Sequence, residues 1–189
     1  MESKRETTSS NDVAGVAVGR NAGLSDAIAA HGRYEIQCFD RDGNLKWSDD
    51  IENLVTTAGK NDALDKHLSG SGYTAAWYIG LIGAASYTTG PAVGDTAASH
   101  GGWVESTDYS EGSRPTAAFS AAAAGAKALS SALAFTLSGD VTIKGCFLVS
   151  NATKGGTTGI IYSAGLFTAG DKVLQSGDTL QVSYIASLT

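Results

Sequence analysis

From Tyr34 to Thr189 the chain is cut about every ten residues by turns bearing Gly, Asn or Asp, and the stretches between them alternate apolar and polar side chains. Such frequent punctuation leaves little room for helices, so the backbone must find its hydrogen bonds between strands. RYEIQCF sets Tyr34, Ile36 and Cys38 on one face. A turn at Asp42-Gly43-Asn44 follows, and Leu45 and Trp47 resume the pattern, which makes a β-hairpin. IENLV reads as extended. TTAGKNDALDKHLSGSG is the one good helix: Thr57 is its expected N-cap, Leu64 and Leu68 its stacked pair behind a polar exposed face, and Gly70 its terminator.

AWYIGLIG then reads as a buried strand, and a long loop over 84–102 is a contact or recognition candidate. Further strands are expected near 117–123, 129–137, 141–149, 159–167 and 179–188. Leu129, Leu133, Phe135 and Leu137, then Ile143 and Phe147, fall on odd positions and predict one buried face, with Cys146 and Leu148 making the end of the 141–149 strand two-faced. Seven or eight strands with one early helix predict a mainly β protein. The expected fold is an antiparallel β-sandwich, jelly-roll or Greek-key like, with one short inserted helix and an extended N-terminal arm.

The core of this sandwich has to be made with small side chains. Ala, Gly, Ser and Thr supply 92 of the 189 residues, so area is buried by close approach of backbones; 42% hydrophobic content still excludes wholesale disorder. A net charge of −6 argues against a nucleic-acid partner, which would need clustered Lys and Arg. No stretch is apolar enough to span a membrane, and MESKRETTSS has no apolar run behind its charges. Synthesis in the cytosol without a signal peptide or membrane anchor is therefore expected. Cys38 and Cys146 read as reduced core thiols.

Residues 1–33 differ from the rest, with a polar opening followed by VAGVAVGRNAGLSDAIAAHG and no aromatic side chain. A short helix over 24–30, capped by Ser25 or Asn21, fits Leu24 and Ile28 four apart. Alone this segment cannot offset its ordering entropy, so it reads as an arm ordered by partner contacts, ahead of a β-sandwich domain at 34–189.

Residue types that carry chemistry are present without the spacing that chemistry needs. His31, His67 and His100 form no HxH or HExxH pattern, and no metal, cofactor or catalytic site is expected. Asp95, Ser99 and His100 have the residue types of a hydrolytic triad but lie within one short loop, with no nucleophile elbow. Asp40, Asp42 and Asn44 begin like a calcium loop, which then fails at Leu45 and Ile51 and leaves a hairpin turn. Asp49 with Asp50, or Glu105 with Asp108, would serve a glycosidase only across a cleft that the sequence does not provide. KGGTTG at 154–159 joins two strands and lacks the phosphate-loop ending. Trp47 and Trp77 are expected in the core, whereas Tyr87, Trp103 and Tyr109, beside long loops, are the candidates for surface recognition.

NLVTTAGKNDALDKHL, AWYIGLIG, GDTAASHGGWVESTDYSEGSRPTAAF, GIIYSAGLF and SGDTLQVSYIASL together resemble a group of tailed-bacteriophage virion structural proteins, over about Tyr34 to Thr189. The recurring pieces are Asn53-Leu54-Val55, Gly80-Leu81-Ile82, Asp95-Thr96 with His100 and Trp103, Tyr109 with Arg114, and Gly177-Asp178-Thr179-Leu180. The resemblance implies a non-enzymatic head decoration or cement protein on the capsid exterior. Its partners would be the major capsid protein and copies of itself, as a dimer or trimer; a tail or head-fibre part that binds host surface glycan is the alternative. In the cement reading Arg5, Arg20 and Arg33 pair with acidic shell groups, and Leu24 and Ile28 are apolar anchors.

Overall fold

The computed structural model describes residues 29–68, 70, 72 and 76–189. β1 (Ala30–Phe39) and β2 (Leu45–Glu52) form the expected hairpin, followed by β3 (Leu54–Val55), α1 (Thr57–Leu68), β4 (Trp77–Gly83) and β5 (Val104–Ser106). Then come β6 (Thr116–Ala117), β7 (Ala126–Ala128), β8 (Leu133–Thr136), β9 (Val141–Val149), β10 (Ile161–Leu166), β11 (Lys172–Leu174) and β12 (Thr179–Leu188). All pairings are antiparallel. One sheet runs β2-β1-β12, with β7 and β8 both on the free edge of β12; the other runs β3-β10-β9-β4, with β5 and β6 on β4 and β11 on β9. Among the described residues the chain is thus mainly β, two antiparallel sheets with one helix.

The sheets are joined by a core that alternation explains. Tyr34, Ile36 and Cys38 of β1 and Leu180, Val182 and Tyr184 of β12 meet Ile79 and Leu81 of β4 and Ile143, Cys146 and Leu148 of β9. Burial pushes the Cys38 thiol up to about 11 and raises Cys146 still further, so neither thiol is poised to react. β9 is two-faced at its end, as Cys146 and Leu148 suggest, and a bulge sets which residues share a face. The β4–β9 register slips between Ile82 and Gly83, and this bulge changes the parity of the strand. Ile143 therefore shares the inner face with Cys146 and Leu148, while Phe147 and Val149 point to the other side.

That other side is a second core. Ile82, Phe147, Val149, Ile161 and Ala164 are covered by Ala97 and Trp103, so the β4–β9–β10 sheet is buried on both faces. Glycine makes the close packing feasible, since a Cβ on Gly80 would collide with the ring of Phe147, and one on Gly145 with the carbonyl of Gly165.

Three local expectations change. Ala30 to Arg33, assigned to the arm, lie in β1, and Ala29 already exchanges backbone hydrogen bonds with Thr189, so residues 29 and 30 of the helix proposed over 24–30 are not helical; residues 1–28 lie outside the described residues. The helix cap is Thr56, one residue earlier than expected: its hydroxyl accepts from Gly59 N at 3.0 Å and its carbonyl from Lys60 N. Gly70, with φ 65°, ends the helix as expected.

The largest change is the face that α1 buries. Gly59 sits against the backbone of Tyr162, so contact runs through Gly59, Asp62 and Lys66; Asp62 and Lys66 form an ion pair beside Trp77. Leu64 and Leu68 lie roughly 140° and 180° around the helix from Gly59 and are 55% and 74% exposed. The helix is therefore turned with leucines outward.

Candidate functional site

The loop over 84–102 is anchored by the residues that made it look functional. Asp95 accepts from the Trp103 indole at 2.8 Å and from Ala92 N at 2.9 Å through the same Oδ2. His100 stacks on Trp103 at 4.1 Å and its Nδ1 lies 2.9 Å from the Trp103 carbonyl; a carbonyl only accepts, so Nδ1 carries the proton. Gly102 O takes both Thr88 N and Thr89 N. The triad residues thus have separate tasks: Asp95 holds the indole, His100 covers it, and Ser99 closes a four-residue turn with Thr96.

Trp103 is only 2% exposed and packs on Phe147 at 5.2 Å, which corrects its assignment to a surface recognition loop. The same correction applies to Tyr109, also 2% exposed, which packs edge-on to Phe135 with the Lys154 ammonium 3.8 Å above its ring. Tyr87 is half-buried, with Lys144 4.1 Å over its face. The physical reason is scarcity. A chain with three tryptophans and a second core to close uses an aromatic beside a loop to pin that loop down. Trp47 and Trp77, expected in the core, pack only partly buried at its margin, against Phe167 and Tyr162.

Next to Trp103 lies the most deeply buried ion pair among the described residues. Arg114 donates Nε to Glu105 Oε1 at 2.8 Å and Nη2 to Oε2 at 2.7 Å, with side chains 3% and 6% exposed. Its remaining donors reach Asn151 O and Gly156 O, and Gly155 N donates to Glu105 Oε2. The guanidinium also stands 5.3 Å from the ring of Phe147. Lys154 adds bonds to Tyr109 O at 2.6 Å and Glu111 O at 3.0 Å. The glycine-rich turn at 154–159 is thereby tied to the 105–114 segment. Lys154 was missed in sequence because its partners are backbone carbonyls more than forty residues away.

A cleft of about 250 Å³ opens beside the pair, with Phe147, Val149 and Ile161 as its floor and His100 at its side. Both oxygens of Glu105 are already engaged, so it is not free to act as a general base with Asp108. Asp49 is likewise committed: burial alone would raise it, but hydrogen bonds from Lys172, Asp50 N and Ala169 N bring its carboxyl below the usual range. Asp40 closes its turn by accepting from Asn44 and from Asp42 N, and those bonds lower it. Asp178 accepts from Lys46 and from Gln175 N, holding the turn before β12. Among the described residues no cluster of three His, Cys, Asp or Glu could hold a metal, and no helix is long and apolar enough to cross a membrane.

The other sheet presents the open surface. Arg33, Glu35 and Gln37 of β1, Ser48 and Asp50 of β2 and Gln181 and Ser183 of β12 line a shallow polar depression of about 470 Å³. Arg33 is 53% exposed and pairs with Asp50 at 3.0 Å, so the structure places this predicted anchor on a sheet face. Arg5, Arg20, Leu24 and Ile28 lie outside the described residues. Comparison with protein-family models and with curated proteins finds no match.

Proposed function

We propose that this protein is a non-enzymatic structural subunit of a tailed-phage particle, a decoration or cement protein on the outside of the capsid. One observation carries the reading: Asp95, His100, Trp103, Arg114 and Asp178, recurring pieces of the resemblance, all hold loops and turns in place. Residues kept for such work suit a rigid part presented in many copies. The polar face of β1, β2 and β12 offers the broad, hydrated surface of a reversible protein contact.

In this reading the subunit binds the assembled shell and itself, as a dimer or trimer, and stabilises the head by mass action, each weak contact gaining from repetition over the lattice. Arg5, Arg20 and Arg33 meet acidic shell groups, and Leu24 and Ile28 add apolar contact. The burial of Trp103 and Tyr109 weighs against the glycan-binding alternative. The test is immunogold electron microscopy of intact phage particles with an antibody to this chain. Label over the whole head is expected; label confined to tail or fibres would overturn the reading.

A further inference from the structure

An apolar groove of about 360 Å³ opens between the two sheets beside α1, walled by Ala63, Trp77, Phe119, Tyr162, Tyr184 and Ala186. Leu64 and Leu68 are exposed on the side of α1 turned away from Gly59 and do not line the groove. An open apolar groove of this kind marks a contact.

The chain itself arrives at this place. Ala29 N donates to Thr189 O at 2.8 Å and Thr189 N to Ala29 O at 3.1 Å, and Ala186 of the groove wall stands opposite Gly32 in the β1–β12 register. Three residues of strand separate Ala29 from Gly32, about 10 Å. The 28 residues that precede Ala29 therefore leave the sandwich within easy reach of the groove. Apart from Met1, Leu24 and Ile28 are the only side chains larger than valine with apolar character in that stretch. Between them lies Asp26, opposite in sign to Lys127 at the groove, whose acidic residue, Asp62, is already paired with Lys66.

We propose that Leu24 and Ile28 dock into this groove of their own chain. An intramolecular contact is favoured because a tether of a few residues gives an effective concentration on the order of millimolar, above that of any neighbouring copy in dilute solution. The inference does not rest on the particle reading. Where both hold, the same two side chains cannot serve groove and shell together, so docking on a shell draws the arm out of its groove.

The test uses the full chain carrying Leu24→Cys and Ala63→Cys, at micromolar concentration under mild oxidation; Cys38 and Cys146 are buried and do not compete. Most of the monomer is expected to form an internal disulfide, seen as a mobility shift and a two-dalton loss, whereas the pair Asn11→Cys with Ala63→Cys stays at background. Disulfides only in dimers would overturn the proposal and assign the groove to a neighbour's arm. Absence of any disulfide, with both thiols open to maleimide, would overturn it too and leave the groove to another protein. As an independent reading, Leu24→Asp with Ile28→Asp should expose Trp77, shifting emission to the red and increasing acrylamide quenching; unchanged emission and quenching would sink the idea. Neither result depends on where antibody labels a particle.

Discussion

The two sheets meet across one core but treat their outer faces in opposite ways. On the β2-β1-β12 sheet every second residue of β1 from Arg33 to Gln37 stands in solvent, and the alternation is clean. The β4–β9–β10 sheet has Trp103, Ala97 and the 84–102 loop over its outer face, and its strands are nearly all buried. Antiparallel sheets can leave one face wet; the second sheet does so no longer because glycines let Phe147 and Trp103 close onto it. The two sheets thus use different residues outward. On one, long polar side chains such as Arg33, Glu35 and Gln37 furnish a hydrated surface, and on the other, glycines make space for a third layer.

The sharpest way to break this contrast is Arg114→Met. It leaves the Glu105 carboxylate buried with one backbone donor, so stability should fall by about 3 to 5 kcal/mol, measured by urea denaturation. Adding Glu105→Leu should restore most of that loss, because the cost lies in the stranded charge. Gly80→Ala comes next: its methyl meets the Phe147 ring, and a loss of about 1 to 3 kcal/mol is expected in the same measurement.

Asp49→Asn tests the edge between the sheets, where Lys172 reaches across to Asp49. A folded carboxyl held below its unfolded value of about 3.9 contributes stability above that pH and loses it as pH falls through the lower folded value. The variant should therefore show a shallower loss of stability below about pH 4 than the parent, read as denaturant midpoint against pH. The smallest effect belongs to the open face: Gln37→Ala with Gln181→Ala should leave stability within about 0.5 kcal/mol. A large loss there would mean that the wet face is part of the scaffold.

The same contrast explains what sequence could reveal. The hairpin of β1 and β2, β12 from Thr179 to Leu188 and β9 from Val141 to Val149 were legible because their patterns are local. The short strands β5 to β8 and β11 were run together or missed, since each is defined by its partner more than by its own residues. Trp103 looked like a surface residue because nothing near it in sequence announces Phe147, and Leu64 and Leu68 looked buried because the deciding contact is Gly59 on Tyr162. At the candidate site the residue names were legible and their tasks were not. Arg114 was among the recurring pieces, but its partners are Glu105 and the carbonyls of a turn about forty residues on.

The longest ladder in the molecule, ten residue pairs, joins β1 to β12. About 140 residues lie between Phe39 and Thr179, so a ribosome adding ~5 to 20 residues per second takes roughly 7 to 28 seconds to supply the partner. Through that interval the β1–β2 hairpin has one unsatisfied edge and no lid. Neighbouring nascent chains on one message carry the same edge, and crowded translation is where exchange of β12 between copies would begin.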